Sequence, residues 1–233
     1  MDFALFTQEG LIMILRWIHF FAGVAWIGHL YYFNFVQGAF LADVDAAVKN
    51  QAMAKLAPRA LWWFRWGAMF TFLSGLGMLA IVGKDLAGDF FQTPYGIYIY
   101  TGALLGTLMF LNVWLIIWPK QRIMVNSALT VIGGGAANPE AAKVAPEALR
   151  ASRTNVLFSI PLLFFMGASR HLGLNMPENF NPATVLAVVT ILILLLEANA
   201  IKGKVGPMAT VKGVIHCGLG LLVVLYTLIE VIV

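Results

Sequence analysis

Six stretches of the chain stay apolar for long enough to cross a bilayer, at about 11–36, 60–83, 95–118, 154–172, 183–201 and 210–232, each near the roughly 20 residues a membrane helix needs. Gly, Pro and charge collect between them: "GKDLAGDFFQTP" after the second stretch, "GGGAANPEAAKVAPEALRASR" before the fourth, "NMPENFNP" before the fifth and "KGKVGP" before the sixth. The pattern predicts an all-α integral membrane protein, a bundle of six transmembrane helices forming a single membrane domain over residues 1–233. The Gly/Ala/Pro-rich stretch 133–148 is the one expected flexible linker. Residues 38–58, "GAFLADVDAAVKNQAMAKLAP", have the composition of a helix on the inner surface or of an extension of the first span. There is no internal repeat.

Composition agrees with the pattern. Hydrophobic residues make up 61% of the chain and charged residues 11%, which excludes an ordinary soluble domain. One cysteine, Cys217, excludes a disulfide framework and a thiolate cluster built by one chain. The first ten residues hold Asp2 and Glu9 but no Lys or Arg, and the apolar run after them is too long for a signal peptide. The first helix is therefore expected to stay in the mature protein.

The excess of positive charge sorts by loop. Lys49, Lys55, Arg59, Lys120, Arg122, Lys143, Arg150, Arg153, Lys202 and Lys204 fall on one side, Lys84 and Arg170 on the other. Positive loops stay in the cytoplasm, so both termini are expected on the periplasmic side, in the agreement that an even number of spans requires. The basic residues are topology signals, and nucleic acid is not an expected partner.

The first span, "LRWIHFFAGVAWIGHLYYFNF", carries Arg16, His19, His29 and Asn34 at depths where polar groups are costly. Helical rise turns position into depth. His29 and His216 both fall roughly 10 Å below the inner surface, at about 1.5 Å per residue. His19 and His171 form a looser pair toward the outer surface. Such an arrangement suits haem held between helices by neutral imidazoles. His19 and His29 are roughly 15 Å apart along one helix, too far to serve one metal. Zinc is a weaker alternative, because no His-x-x-x-His pair or His-plus-carboxylate spacing occurs. The competing reading is that each histidine satisfies a backbone carbonyl or a neighbouring helix.

The inner half also collects Arg65, Asn112, Glu197, Asn199 and Lys212. Glu197 is expected to pair with Arg65 or Lys212, as a structural ion pair or as part of a substrate or propionate site. Arg16, one turn from His19, suits a propionate anchor or a cation reaching the interface. Trp62, Trp63 and Trp66 fit an aromatic belt, and Glu230 the outer interface.

The run "RWIHFFAGVAWIGHLYYFNFVQ" followed by "WWFRWGAMFTFLSG" resembles the amino-terminal membrane domain of the bacterial membrane-bound urate oxidases, or urate hydroxylases. It is more distantly similar to haem-binding membrane protoporphyrinogen oxidases and to copper-resistance membrane proteins. The resemblance implies a b-type haem oxidoreductase of a bacterial inner membrane. It implies His29 and His216 as the iron ligands of one inner haem, and His19, with His171 and Arg16, as an outer haem site. Arg65 and Lys212 would draw in an anionic purine, and Glu197 would accept a proton. Typical members continue into a cytochrome c domain. No Cys-x-x-Cys-His motif occurs in these 233 residues, so the expected partner is a periplasmic cytochrome c, or another redox chain, on a separate polypeptide. Two other classes stay open: a non-enzymatic electron-transfer subunit of a larger membrane complex, and a transporter or metal-permeation protein whose polar residues line a pathway.

Overall fold

The computed structural model of the chain describes residues 3–177 and 180–233; Asp2, and Glu178 and Asn179 of the loop before the fifth span, lie outside the described residues. All regular structure among them is helical. Six helices are long and apolar enough to cross a membrane: α1 (Gln8–Asp43), α2 (Ala46–Leu86), α3 (Pro94–Ile132), α4 (Pro139–His171), α5 (Pro182–Lys202) and α6 (Val211–Ile232).

The starts follow from capping chemistry. Thr7, Asp45, Thr93 and Thr210 each accept a hydrogen bond from a first-turn amide of the helix they precede. Asn138 and Asn181 do the same for α4 and α5, with Pro139 and Pro182 at the first helical position, where no amide hydrogen is needed. Helix α3 runs out into Gly133 and Gly134, the latter at a φ of 85° that disfavours any side chain.

The helices run past the predicted spans at the end where most basic loops lie, here called the basic end. The supposed 133–148 linker is irregular only as far as Asn138, after which α4 begins. The 38–58 segment belongs to two helices, with the break at Val44 and Asp45. Alanines such as Ala54, Ala57, Ala128, Ala148 and Ala151 are buried where these extensions pack together. Apolar periodicity stops where the membrane does, whereas Ala-rich helix continues on propensity and close packing.

Helix α4 is the centre of the bundle. Of its most apolar stretch, 67% of residues are buried, against 22% to 39% for the other five. Helices α3, α5 and α6 pack around it, and α1 and α2 form a pair that meets it at one edge. The α1–α2 seam is close: a Cβ on Gly67 would lie 2.9 Å from the Trp26 amide nitrogen, so only glycine lets these backbones approach.

Three π turns interrupt the α-geometry, at Tyr32–Gln37 in α1, Ala52–Leu56 in α2 and Asn112–Ile117 in α3. A π turn loosens carbonyls of the preceding turn and is frequent where function needs a re-aimed side chain. Two of the three carry a buried asparagine, Asn34 and Asn112.

Candidate functional site

Three of the four histidines are held in the same way. His19 Nδ1 lies 2.8 Å from the Thr71 carbonyl of α2, and His29 and His216 Nδ1 lie 2.7 Å from the carbonyls of Ala25 and Lys212, one turn back on their own helices. A carbonyl oxygen only accepts, so in each case the ring donates from Nδ1. The neutral imidazole then keeps its lone pair on Nε2. That is the condition of a nitrogen ligand whose second nitrogen is fixed by the protein. Gly75 makes room for the His19 ring, since a Cβ there would lie 3.2 Å from its Cε1. His171 is exposed at the last residue of α4.

His29 and His216 are not brought together within the chain. Helix α1 meets α4 at Ser152 and Ser159, whereas α6 meets it at Ile160 and Phe164. His29 is half-buried and His216 exposed. His216 sits about 200° around α6 from Gly218, the residue that meets α4. No group of three or more His, Cys, Asp or Glu capable of holding a metal ion occurs among the described residues.

Glu197 finds a partner other than the expected cation. It is buried, and its Oε2 accepts a hydrogen bond from Asn112 Nδ2 at 3.0 Å. The same amide donates to Asn155 Oδ1 at 3.0 Å, and Asn155 Nδ2 donates to the Met109 carbonyl at 3.0 Å. Helices α3, α4 and α5 are thus tied by one polar chain that begins at the α3 π turn. The ion pairs among the described residues are Lys120–Glu147 at 2.9 Å and Lys143–Glu140 at 3.3 Å, both toward the basic end.

Arg65 lies instead with its guanidinium carbon 3.5 Å from the Trp118 ring centre and 5.9 Å from that of Trp114, a cation–π seat between α2 and α3. Lys212 is exposed in the first turn of α6 and Arg16 half-buried on α1. Arg65, Lys212 and Glu197 stand on three helices and form no ion pair. Trp62, Trp63 and Trp66 are exposed, as an aromatic belt requires. With Trp17, Phe21 and Phe70 they line a shallow, wholly apolar groove of about 170 Å³.

Sequence reasoning left out Asn155, Ser152, Ser159 and Tyr98. Asn34 Nδ2 donates to the Leu30 carbonyl at 2.9 Å and to Ser152 Oγ at 2.8 Å, while the Tyr31 hydroxyl lies 2.9 Å from Ser159 Oγ. At the other end the buried Tyr98 hydroxyl reaches Glu230 Oε1 and the Gly173 carbonyl, both at 3.4 Å. The spacing of Ser152, Asn155 and Ser159 along α4 is the available signal: a polar stripe at helical period that runs into an apolar span.

Residues 86–227 match one family model, described as urate oxidase N-terminal. The matched stretch includes Asn112, Asn155, His171, Glu197, Lys212 and His216, and leaves α1 with His19 and His29 outside it. No curated protein and no solved structure matches the chain.

Proposed function

We propose a function on the premise that this chain belongs to the urate oxidase N-terminal family: it is a b-type haem oxidoreductase domain that oxidises an anionic purine such as urate and passes electrons to a periplasmic cytochrome c. Family membership supports the substrate class. The observation that carries the cofactor is the shared state of His19, His29 and His216, each donating from Nδ1 to a carbonyl and leaving Nε2 open.

The donor set fits haem better than a bare metal ion, because haem supplies four nitrogens of its own and asks the protein for one or two. Bound haem would supply one-electron redox chemistry. His29, His216 and His19 would hold it, with His171 and Arg16 at an outer site. As α1 and α6 are not neighbours, His29 and His216 serve separate centres. The carbonyls of Ala25, Lys212 and Thr71 fix the rings against rotation. Arg65 and Lys212 would attract the purine anion, and Glu197, held by Asn112, would take a proton from it. The asymmetry of Lys and Arg between loops supports a bacterial inner membrane with both termini periplasmic.

A reduced-minus-oxidised spectrum of the purified chain, with a pyridine haemochrome count, tests this reading. A b-type signal should fall in His19→Ala, His29→Ala or His216→Ala. Urate consumption should require added cytochrome c. Folded protein supplied with excess haem and showing no b-type signal overturns it.

A further inference from the structure

Two arginines on α4 meet their surroundings in opposite ways. Arg150 donates from Nε to the Ala200 carbonyl at 2.7 Å and from Nη2 to the Ile201 carbonyl at 2.5 Å, which places a cation on the negative C-terminal end of α5. Arg153, one turn further, is only 8% exposed, yet its Nε and Nη1 have no hydrogen-bond partner. No carboxylate forms an ion pair with it among the described residues. A buried guanidinium without a counter-charge is unfavourable.

The element it faces makes the imbalance worse. Arg153 lies seven residues before Ile160 and so on the same face of α4. That face meets α6, since Ile160 Cδ1 would block a Cβ on Gly218 and Phe164 packs edge-on against Tyr226. The two helices run parallel there, so the seven-residue step back from Gly218 leads to Val211, the first residue of α6. That step sets Arg153 at about the level of the positive N-terminal end of α6, next to the Gly206–Ala209 turn that packs against α4. Met208, in that turn, is buried. Lys212 stands exposed next to it, and Lys202 and Lys204 precede it. The chain contains no Asp or Glu between Glu197 and Glu230, and Glu197 is taken by Asn112.

We propose that Arg153 and the first turn of α6 form a binding site for a phosphate-type oxyanion, supplied by the headgroup of an anionic phospholipid. The guanidinium fork matches two phosphate oxygens, and the amides of a helix start favour the same charge. The lipid source follows from position: the apolar stretch of α4 begins at residue 154, which puts Arg153 at the boundary where headgroups lie. The site shares the first turn of α6 with the Lys212 carbonyl that holds His216, but the oxyanion needs no bound haem.

The test is lipid retention by the purified full chain, exchanged from mixed micelles of phosphatidylglycerol and phosphatidylcholine and read by mass spectrometry. The wild type should hold phosphatidylglycerol at least about tenfold over phosphatidylcholine, a difference of about 1.4 kcal/mol. Arg153→Met should abolish the preference, and Arg153→Lys, which keeps the charge, should retain most of it. Inorganic phosphate added at millimolar levels separates the sources. Failure to displace the lipid assigns the site to the headgroup, and displacement keeps the oxyanion site while assigning it to a soluble anion. Equal retention of both lipids by the wild type overturns the proposal, whether or not Arg153→Met folds, as does an unchanged preference in a folded Arg153→Met.

Discussion

The α1–α2 pair and the interior around α4 are both made of apolar helices, yet they treat polar atoms differently. Around the middle of α4, away from Arg153, donors and acceptors consume one another: Asn112 serves both Asn155 and Glu197, and Asn155 returns to the Met109 carbonyl. On the α1–α2 pair, His19 and His29 satisfy one nitrogen and keep the other free. A closed network holds helices in register, because lipid offers no substitute partner. An open valence adds little to stability, and its use lies in what it can bind. Four substitutions test that contrast, each followed by detergent-induced unfolding of the purified chain.

Asn112→Leu should cost most, about 2–4 kcal/mol, since it strands an oxygen on Glu197 and another on Asn155, each worth about 1–3 kcal/mol when buried without a donor. A loss under 1 kcal/mol would mean that the network is not closed. Gly67→Leu should cost about 1–3 kcal/mol through overpacking of the α1–α2 seam, where the Trp26 nitrogen lies 2.9 Å from the new Cβ. His29→Ala should change stability by roughly 1 kcal/mol or less in the haem-free chain, the worth of one modest hydrogen bond, while removing a share of bound haem. A large loss of stability with unchanged haem would make His29 part of a closed network too. Smallest is Lys120→Met: its 2.9 Å partner Glu147 is about half exposed, so about 0–1 kcal/mol is expected, shrinking further in high salt.

Much of the fold was legible. The apolar runs located all six helices, and the starts of α3, α5 and α6 came within a residue of those observed, at Pro94, Pro182 and Val211. Of the extensions beyond the membrane, the helicity of 38–58 was readable from its composition, but not its division between α1 and α2 at Val44 and Asp45, and Pro139–Arg153 carries no long apolar run to announce it. Depth was readable from residue number, so the level shared by Asn112 and Glu197 was anticipated. Neighbour order was not: equal depth on α1 and α6 says nothing about whether those helices touch. Glu197 shows why charge matching misled. A buried carboxylate asks for a donor, and the Asn112 amide at the start of a π turn supplies one without the cost of burying a cation. Arg153 was counted only as a topology signal, since its missing partner becomes visible once α6 stands beside α4.

Each π turn fits one more residue into its helix than the α-geometry would, and so acts as a phase slip. The face presented before Tyr32 and the face presented after Gln37 in α1 are offset by nearly a third of a turn. Periodicity measured across the slip averages two different azimuths and blurs both. The same slip gives the chain a place to lose length: removing one residue within Tyr32–Gln37 restores the α-repeat. The halves on either side keep their orientation, because the wide turn absorbs its extra residue locally, and only the side chains of the turn itself are re-aimed. In each of the first three helices one codon can therefore be lost from the π turn without moving the half that crosses the bundle.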